Sequence, residues 1–546
     1  MDTFTISGKL IDIFQRRIYP AQVIVNDGVI ASITETDDAD DQYLLPGFID
    51  AHIHIESSML APTAFAQMAV VHGTVATVSD PHEIANVCGI EGVQYMINNS
   101  KLSSFKFFFG APSCVPATGF ESAGATLDAK AVEELLNNPD IWYLSEMMNY
   151  PGVLYKDPEV MAKIAAAKKS RKPIDGHAPG LKGNDAISYA ATGITTDHEC
   201  FTIEEALDKI KAGMNILIRD GSAAKNYEAL SELIKLHPEN VMFCSDDKHP
   251  DELALHHING LVKRSLLKGY DLFDILRIAC LHPVLHYKLP VGLMRANDPA
   301  DFIVVDNLKD FNVLQTYING QLVAERGITQ LPYITVTPIN NFKAGKKDAN
   351  DFKIKARSEA PAIRVIEAIE GQLVTNSLQL PAKVEDGYIV SDTDRDILKI
   401  AVINRYENDV PIAVSFIKNF GLKYGAMAST VAHDCHNIIA IGVDDDSMCA
   451  AINALIDCKG GISVARDKND VTCLPLPIAG LMSLDNGYKV AEAYTNLNKI
   501  TRELGTTLHA PFMTLSFMAL LVIPSLKLSD KGLFDGSKFE FVSVEI

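Results

Sequence analysis

Between residues 48 and 247, eight short apolar runs recur, and nearly all of them end in charged or hydroxyl residues: FIDAHIH, TVATVSD, FKFFFGAPS, IWYLSEM, KPIDGHA, GITTDHE, MNILIRDGS and VMFCSDD. Longer segments of helical character lie between them, among them IEGVQYMINNSK, DPEVMAKIAAAKKS and NYEALSELIKLH. Strand then helix, eight times over, is the pattern of a (β/α)8 barrel. A doubly wound open sheet produces the same alternation. The polar residues decide between them, because they gather at the C-terminal ends of the runs, where barrel sites are built.

The flanks of this region read differently. The first forty-odd residues alternate apolar and polar around Gly and Asn-Asp-Gly turns, and VGLMRANDPADFIVVD and VLQTYINGQLVAERG return to that period after residue 290. Period-2 runs with an Asn-Gly turn are strands and hairpins. The expected α/β architecture is therefore a (β/α)8 TIM-like barrel over 46–289, flanked by a small β-sandwich built from both sides of the barrel, 1–45 and 290–335. A polar, turn-rich stretch over about 336–352 marks a boundary, and mixed strand and helix patterns beyond it predict a C-terminal α+β domain over 336–546.

Composition narrows the classes of function. With 49 Lys and Arg against 69 Asp and Glu, the formal net charge is −20, which repels polyanions and argues against a nucleic-acid polymer as partner. Nine cysteines, an odd number without a C-x-x-C pair, predict a reducing compartment. The start, MDTFTISGKLIDIF, has no basic region followed by an apolar one, and the longest apolar stretch, FMTLSFMALLVI, is too short to cross a bilayer as a helix. The expectation is a soluble cytoplasmic protein that makes no membrane contact.

The polar run ends supply a set of metal donors. His52 and His54 are two apart, so in a strand both imidazoles share a face. Later run ends supply Glu146, His177, His198 and Asp246. A lone histidine is more often a packing or hydrogen-bonding residue, but six nitrogen and oxygen donors at one end of five strands form a joint pattern. Imidazole and carboxylate without thiolate suit zinc, iron or manganese. Four histidines and two carboxylates exceed the needs of one tetrahedral ion, so two divalent ions with Glu146 as bridge are predicted. Such a pair activates water for attack on an electrophilic sp² carbon, and Asp246 is the natural acceptor of the released proton.

These residues, beginning LLPGFIDAHIHIESSM, resemble the amidohydrolase superfamily, whose members carry such a barrel beside a small β-sandwich. VSDPHEIANVCG, APSCVPAT, IDGHAPGL, GITTDHE, RDGSAAKN and CSDDKHP resemble the adenine deaminase family, as do AMASTVAHDCHNIIAIG, LPLPIAGLMS and LVIPSLKLSDKGLFDG nearer the C-terminus. The resemblance covers nearly the whole chain. It implies conversion of adenine and water to hypoxanthine and ammonia in purine salvage, at a binuclear centre of Mn2+ or Fe2+, with Zn2+ also compatible. It implies a homodimer or higher homo-oligomer as well. In that family a glutamate replaces the carboxylated lysine of many amidohydrolases, and IWYLSEMMN has no lysine at its strand end. The readings kept beside this one are another amidohydrolase acting on a cyclic amide or related heterocycle, and a non-catalytic scaffold of the same fold.

Attack at C6 of adenine requires an acid facing N1. Glu83, Glu199 and Asp247 are the candidates, Glu83 ahead because a loop after the second strand can reach over the metals, while Glu199 could orient a ligand instead. In the same DPHE run, Asp80 reads as a helix cap or a substrate contact, and His82 as a substrate contact by the resemblance. Arg219 ends the seventh run as a substrate-binding candidate or as a structural partner of Asp220. Ser113, with Cys114 and Thr118, reads as pocket wall, because no general base stands nearby. Glu56 reads as a hydrogen-bonding neighbour of the metal site. His433, Asp434 and His436 in VAHDCHNIIAIG form either a third metal site or a polar loop closing the barrel mouth. His256 and His257 are expected in a helix.

Overall fold

The N-terminal alternation folds as four strands, β1 (Phe4–Asp12), β2 (Arg17–Asn26), β3 (Val29–Glu35) and β4 (Tyr43–Pro46), in a computed structural model that describes residues 3–222 and 224–546. Met1, Asp2 and Ala223, the last within the RDGSAAKN motif, lie outside the described residues. In β2 the period is plain: Ala21, Val23 and Val25 are buried, and Gln22 and Asn26 exposed.

All eight runs contain strands: β5 (Phe48–Ile53), β6 (Thr74–Ser79), β7 (Lys106–Ala111), β8 (Ile141–Met147), β9 (Ile174–Gly176), β10 (Thr196–Asp197), β11 (Asn215–Arg219) and β12 (Val241–Cys244). Every residue of β5 and β6 is buried, as expected of parallel strands covered on both faces. The connecting helices include α1 (Pro62–Ala69) and α2 (His82–Ser100). Parallel ladders join β5 to β9 in order and β10 to β12 in order. The sheet curls. Thr195 N–H donates to the Ile174 carbonyl (2.9 Å), linking β9 to the next strand, and Asp246 N–H donates to the His52 carbonyl (2.9 Å), bringing the eighth run beside the first. Gly176 permits the close approach of β9 to β10, since a Cβ there would collide with the Thr196 carbonyl.

The return strands β13 (Phe302–Val305), β14 (Val313–Ile318), β15 (Gln321–Glu325) and β16 (Ile328–Thr329) join the N-terminal ones, because β13 pairs antiparallel with β4. The two flanks thus share one eight-stranded sheet of order β16-β15-β14-β13-β4-β1-β2-β3. Beyond residue 353 a second eight-stranded sheet forms, with Ile397–Ile403 and Ile438–Gly442 as adjacent, wholly buried central strands. Helix Asp445–Asp457 buries Met448, Ala451, Ile452 and Leu455 against it.

Buried ion pairs and hydrogen bonds brace the curled sheet behind its functional end. Asp50 accepts hydrogen bonds from Ser245 N–H (3.0 Å) and bonds His257 Nε2 (2.8 Å), whose Nδ1 meets Thr74 Oγ1 (2.7 Å). Asp197 accepts from the backbone N–H groups of Ala178 (3.0 Å) and Glu199 (2.7 Å), and Lys209 Nζ lies 3.1 Å from it and 2.8 Å from Glu205. The Lys209 pair is fully buried. Lys209→Met would leave two carboxylates buried without their cation, and we expect a loss of about 3–5 kcal/mol in chemical denaturation. A loss under about 0.5 kcal/mol, the size of an ordinary surface change, would contradict this role.

Two local expectations fail. His256 and His257 lie between helices Pro250–Leu253 and Ile258–Leu267 rather than within one, because His257 is drawn inward to Asp50 and Thr74. NYEALSELIKLH is two short helices, Tyr227–Leu230 and Leu233–Leu236, instead of one. Among the described residues no helix is long and apolar enough to cross a membrane.

Candidate metal centre and active site

The alternation of β5 carries one residue past its end and turns His52 and His54 into the same space, with their Nε2 atoms 3.2 Å apart. Asp246 faces both: its Oδ1 is 3.7 Å from His52 Nε2 and 3.3 Å from His54 Nε2. Asp246 holds a left-handed backbone (φ 55°), uncommon for a residue with a side chain. Its amide donates to the His52 carbonyl of β5, and its carbonyl accepts from the N–H of His54, one residue past β5, at 3.3 Å.

Glu146, near the end of β8, stands between two clusters. Its Oε1 lies 3.5 Å from His54 Nε2, and its Oε2 lies 2.7 Å from His177 Nδ1 and 3.0 Å from His198 Nε2. One oxygen therefore faces each side. The six predicted donors converge and are all buried. Burial alone would raise the Glu146 carboxyl, but His177 and His198 hold it well below the usual carboxylate range. Burial opposes ionisation of Asp246 too, and Arg219 and His54 overcome it. Imidazole nitrogens aimed at one another and at carboxylates, without a thiolate, are the donor set of a divalent metal centre, and the residues present fit one.

The neighbouring carboxylates are held in different ways. Both oxygens of Glu199 bond Arg219, the Oε2 contact being 3.1 Å, and Arg219 Nη1 also lies 2.6 Å from Asp246 Oδ2. Arg219 is thus a clamp between two site carboxylates, and it does not pair with Asp220. Asp247 accepts from Ser57 Oγ (2.5 Å). Asp80 bonds His82 Nδ1 (3.0 Å), and the same Nδ1 is 3.5 Å from Glu146 Oε1, so Asp80 and His82 border the metal donors. Glu56 accepts from Ile84 N–H (3.1 Å), and burial raises its carboxyl to about 7.

Ser113 is placed apart from the metal donors. Its Oγ donates to the Glu146 carbonyl (2.5 Å), supporting that residue from behind, and it lines an adjoining cavity of about 810 Å³ with Cys114, Thr118 and Met148. Met148 borders both spaces.

The second sheet contributes directly to the site. Strand Ala426–Ser429 leads into a loop that brings His433 and Asp434 to the space lined by the donors, joined there by Leu373, Phe517 and Leu520, while His436 of the same loop meets Glu83. Glu83 is gripped at Oε1 by His433 Nδ1 and at Oε2 by His436 Nε2. Burial would raise the Glu83 carboxyl, yet these histidines and His82 hold it well below the usual range. Burial lowers His433, but Glu83 lifts it to about 9 overall, while burial takes His436 down to about 4. The VAHDCHN loop stands out in the sequence as a polar cluster, but its pairing with Glu83 does not. The bracing carboxylates Asp50 and Asp197 are not legible in this way, nor is Asp175, which accepts from Thr196 Oγ1 (2.8 Å) and Tyr287 Oη (2.8 Å), because the only signal of each is a polar residue inside an apolar run.

Two family profiles match the chain. That of the amidohydrolase family matches residues 43–323, and that of the adenine deaminase C-terminal domain matches residues 372–540. Proteins named adenine deaminase from Salinibacter ruber, Sulfurovum sp. and Borreliella burgdorferi are similar to this chain along nearly all of its length. The identities are 55% over 541 residues, 55% over 536 and 51% over 549. The matches cover 99%, 98% and 99% of this chain and 98%, 98% and 100% of those relatives.

Proposed function

This chain belongs to the adenine deaminase family, within the amidohydrolases, and from that premise we propose how its own residues carry out the reaction. The enzyme deaminates adenine, giving hypoxanthine and ammonia. The observation that carries the residue assignment is Glu146, with one carboxylate oxygen toward His54 and the other toward His177 and His198.

Two divalent ions, Mn2+ or Fe2+ ahead of Zn2+, would be held by His52, His54 and Asp246 on one side and by His177 and His198 on the other, with Glu146 between. Bound there, they supply the Lewis acidity that makes water a nucleophile near neutral pH. Asp246 takes a proton from the attacking water and returns it to the leaving amine. Arg219, on its outer oxygen, keeps that carboxylate ionised and aimed. Glu199, held at both oxygens by the same arginine, faces the donor nitrogens of His177 and His198 themselves, 3.7 and 3.5 Å away, and adds negative charge beside the ion that they would hold. Leu373, Phe517 and Leu520 exclude water above the reacting ring.

The curled parallel sheet is read as the closed (β/α)8 barrel of residues 46–289, with the sandwich of 1–45 and 290–335 beside it and the unit of 336–546 over its mouth; the mutual hydrogen bonds of β5 with Asp246 support closure. Purine salvage in a reducing cytoplasm fits nine cysteines that are all free thiols. Removal and return of the metal tests the centre. Chelated enzyme should lose activity, and added Mn2+ should restore it in proportion up to two equivalents per chain. A plateau at one equivalent would contradict the bridging role of Glu146.

A further inference from the structure

Hypoxanthine carries a hydrogen on N1 that adenine lacks, so the reaction must deliver a proton to that atom and leave it there. The carboxylate that does so must lie in the closed site near C6, and it must have an oxygen free to meet the ring. Among the carboxylates bordering the site, Glu146 and Asp246 belong to the metal donors. Both oxygens of Glu199 are taken by Arg219, and both oxygens of Glu83 by His433 and His436. Asp247 is tied through Oδ1 to Ser57.

Asp434 differs from all of these. It is 3% exposed, it borders the site, and its Oδ2 has no hydrogen-bond partner among the described residues. Its Oδ1 is 3.9 Å from His82 Nε2, and the other nitrogen of that imidazole is 3.5 Å from Glu146 Oε1. Asp434 thus stands one imidazole ring away from the bridging carboxylate, the reach needed when C6 is at the metals and N1 is the adjacent ring atom. A buried oxygen without a partner is costly, and a ring nitrogen of the substrate would satisfy it.

We propose that Asp434, brought to the site by the C-terminal domain, is the acid that protonates N1 of adenine, and that Glu83 is a positioning residue which anchors the loop carrying it. The inference rests on the adenine deaminase reading above. The protons balance. Water adds to C6 while Asp434 gives its proton to N1, and Asp246 receives a proton from the water. The C6–N6 bond then breaks, ammonia leaves with the proton returned by Asp246, and the hydroxyl proton released as the C6 carbonyl forms restores Asp434. Burial and Glu83 support this role, raising the Asp434 carboxyl to about 6 against the opposing pull of His82.

The test is a kinetic split in metal-loaded enzyme. Asparagine at this position can still donate a hydrogen bond to N1 but cannot transfer a proton. Asp434→Asn should therefore lower kcat by at least about 100-fold, as loss of a general acid does, with KM within about threefold and two metal ions per chain. Asp434→Glu keeps the acid and should retain at least about a tenth of wild-type kcat, a rescue that damage to the loop would not show. Competition by 1-deazaadenine gives a second measure: it should bind far more weakly than adenine to the wild type, and Asp434→Ala should nearly abolish that difference. Near-normal kcat in Asp434→Asn, or the same split in Asp247→Asn instead, would overturn the assignment. Wild-type release of ammonia from adenine, measured first, tells a failure of this inference from a failure of the underlying reading.

Discussion

Glu146→Gln should release at least one metal equivalent and cut kcat/KM for adenine on the order of 10³-fold. The size reflects what the carboxylate does. Each of its oxygens faces a separate donor cluster, and an amide offers one neutral oxygen and an NH2 group that repels a cation. Losing the paired centre forfeits several kcal/mol of charge stabilisation at the reacting carbon, and about 1.4 kcal/mol corresponds to each factor of ten. The fold should survive, because Ser113 supports residue 146 through its backbone carbonyl. Metal analysis of the purified variant beside its kinetics checks both parts. Full activity with two bound ions would remove Glu146 from the bridge.

Glu83→Gln should lower kcat by about 100-fold or more while both metal ions remain bound. Glu83, at the start of α2, is gripped by both histidines of the 430–436 loop. Its negative charge is what lifts His433 to about 9. With glutamine there, a buried imidazolium loses its counter-charge, a change that costs about 3–5 kcal/mol when a buried pair is broken. The loop would then shed that proton or move away, carrying Asp434 with it. Separate measurements of kcat, metal content and thermal midpoint distinguish these effects. Unchanged kcat with an unchanged midpoint would mean that the grip on Glu83 is idle.

Local pattern in the sequence reaches far for a physical reason. Buried parallel strands are largely apolar until they reach the functional end, so His52, His54, Glu146, His177, His198 and Asp246 stand out as donors at the C-terminal ends of their runs. Even Thr196–Asp197, a strand of two residues, is legible from His198 at its end. Local pattern fails where long-range contacts decide the conformation. His257 reads as helical until Asp50, 207 positions away, holds it at a helix start. The contact between Glu83 and His436 spans 353 positions, beyond any periodicity, so the VAHDCHN loop is visible as a cluster but not as the partner of the DPHE run. Asp50, Asp175 and Asp197 are equally hidden, because a carboxylate within a buried strand shows its use only through the groups that reach it from neighbouring strands.

The most direct test of the central claim is to supply adenine to enzyme loaded with Mn2+ or Fe2+ under reducing conditions and to measure hypoxanthine and ammonia together. The expected result is one ammonia for each adenine consumed, with hypoxanthine as the sole purine product and no ammonia from dihydroorotate or hydantoin. Absence of turnover in protein holding two metal ions per chain would contradict it.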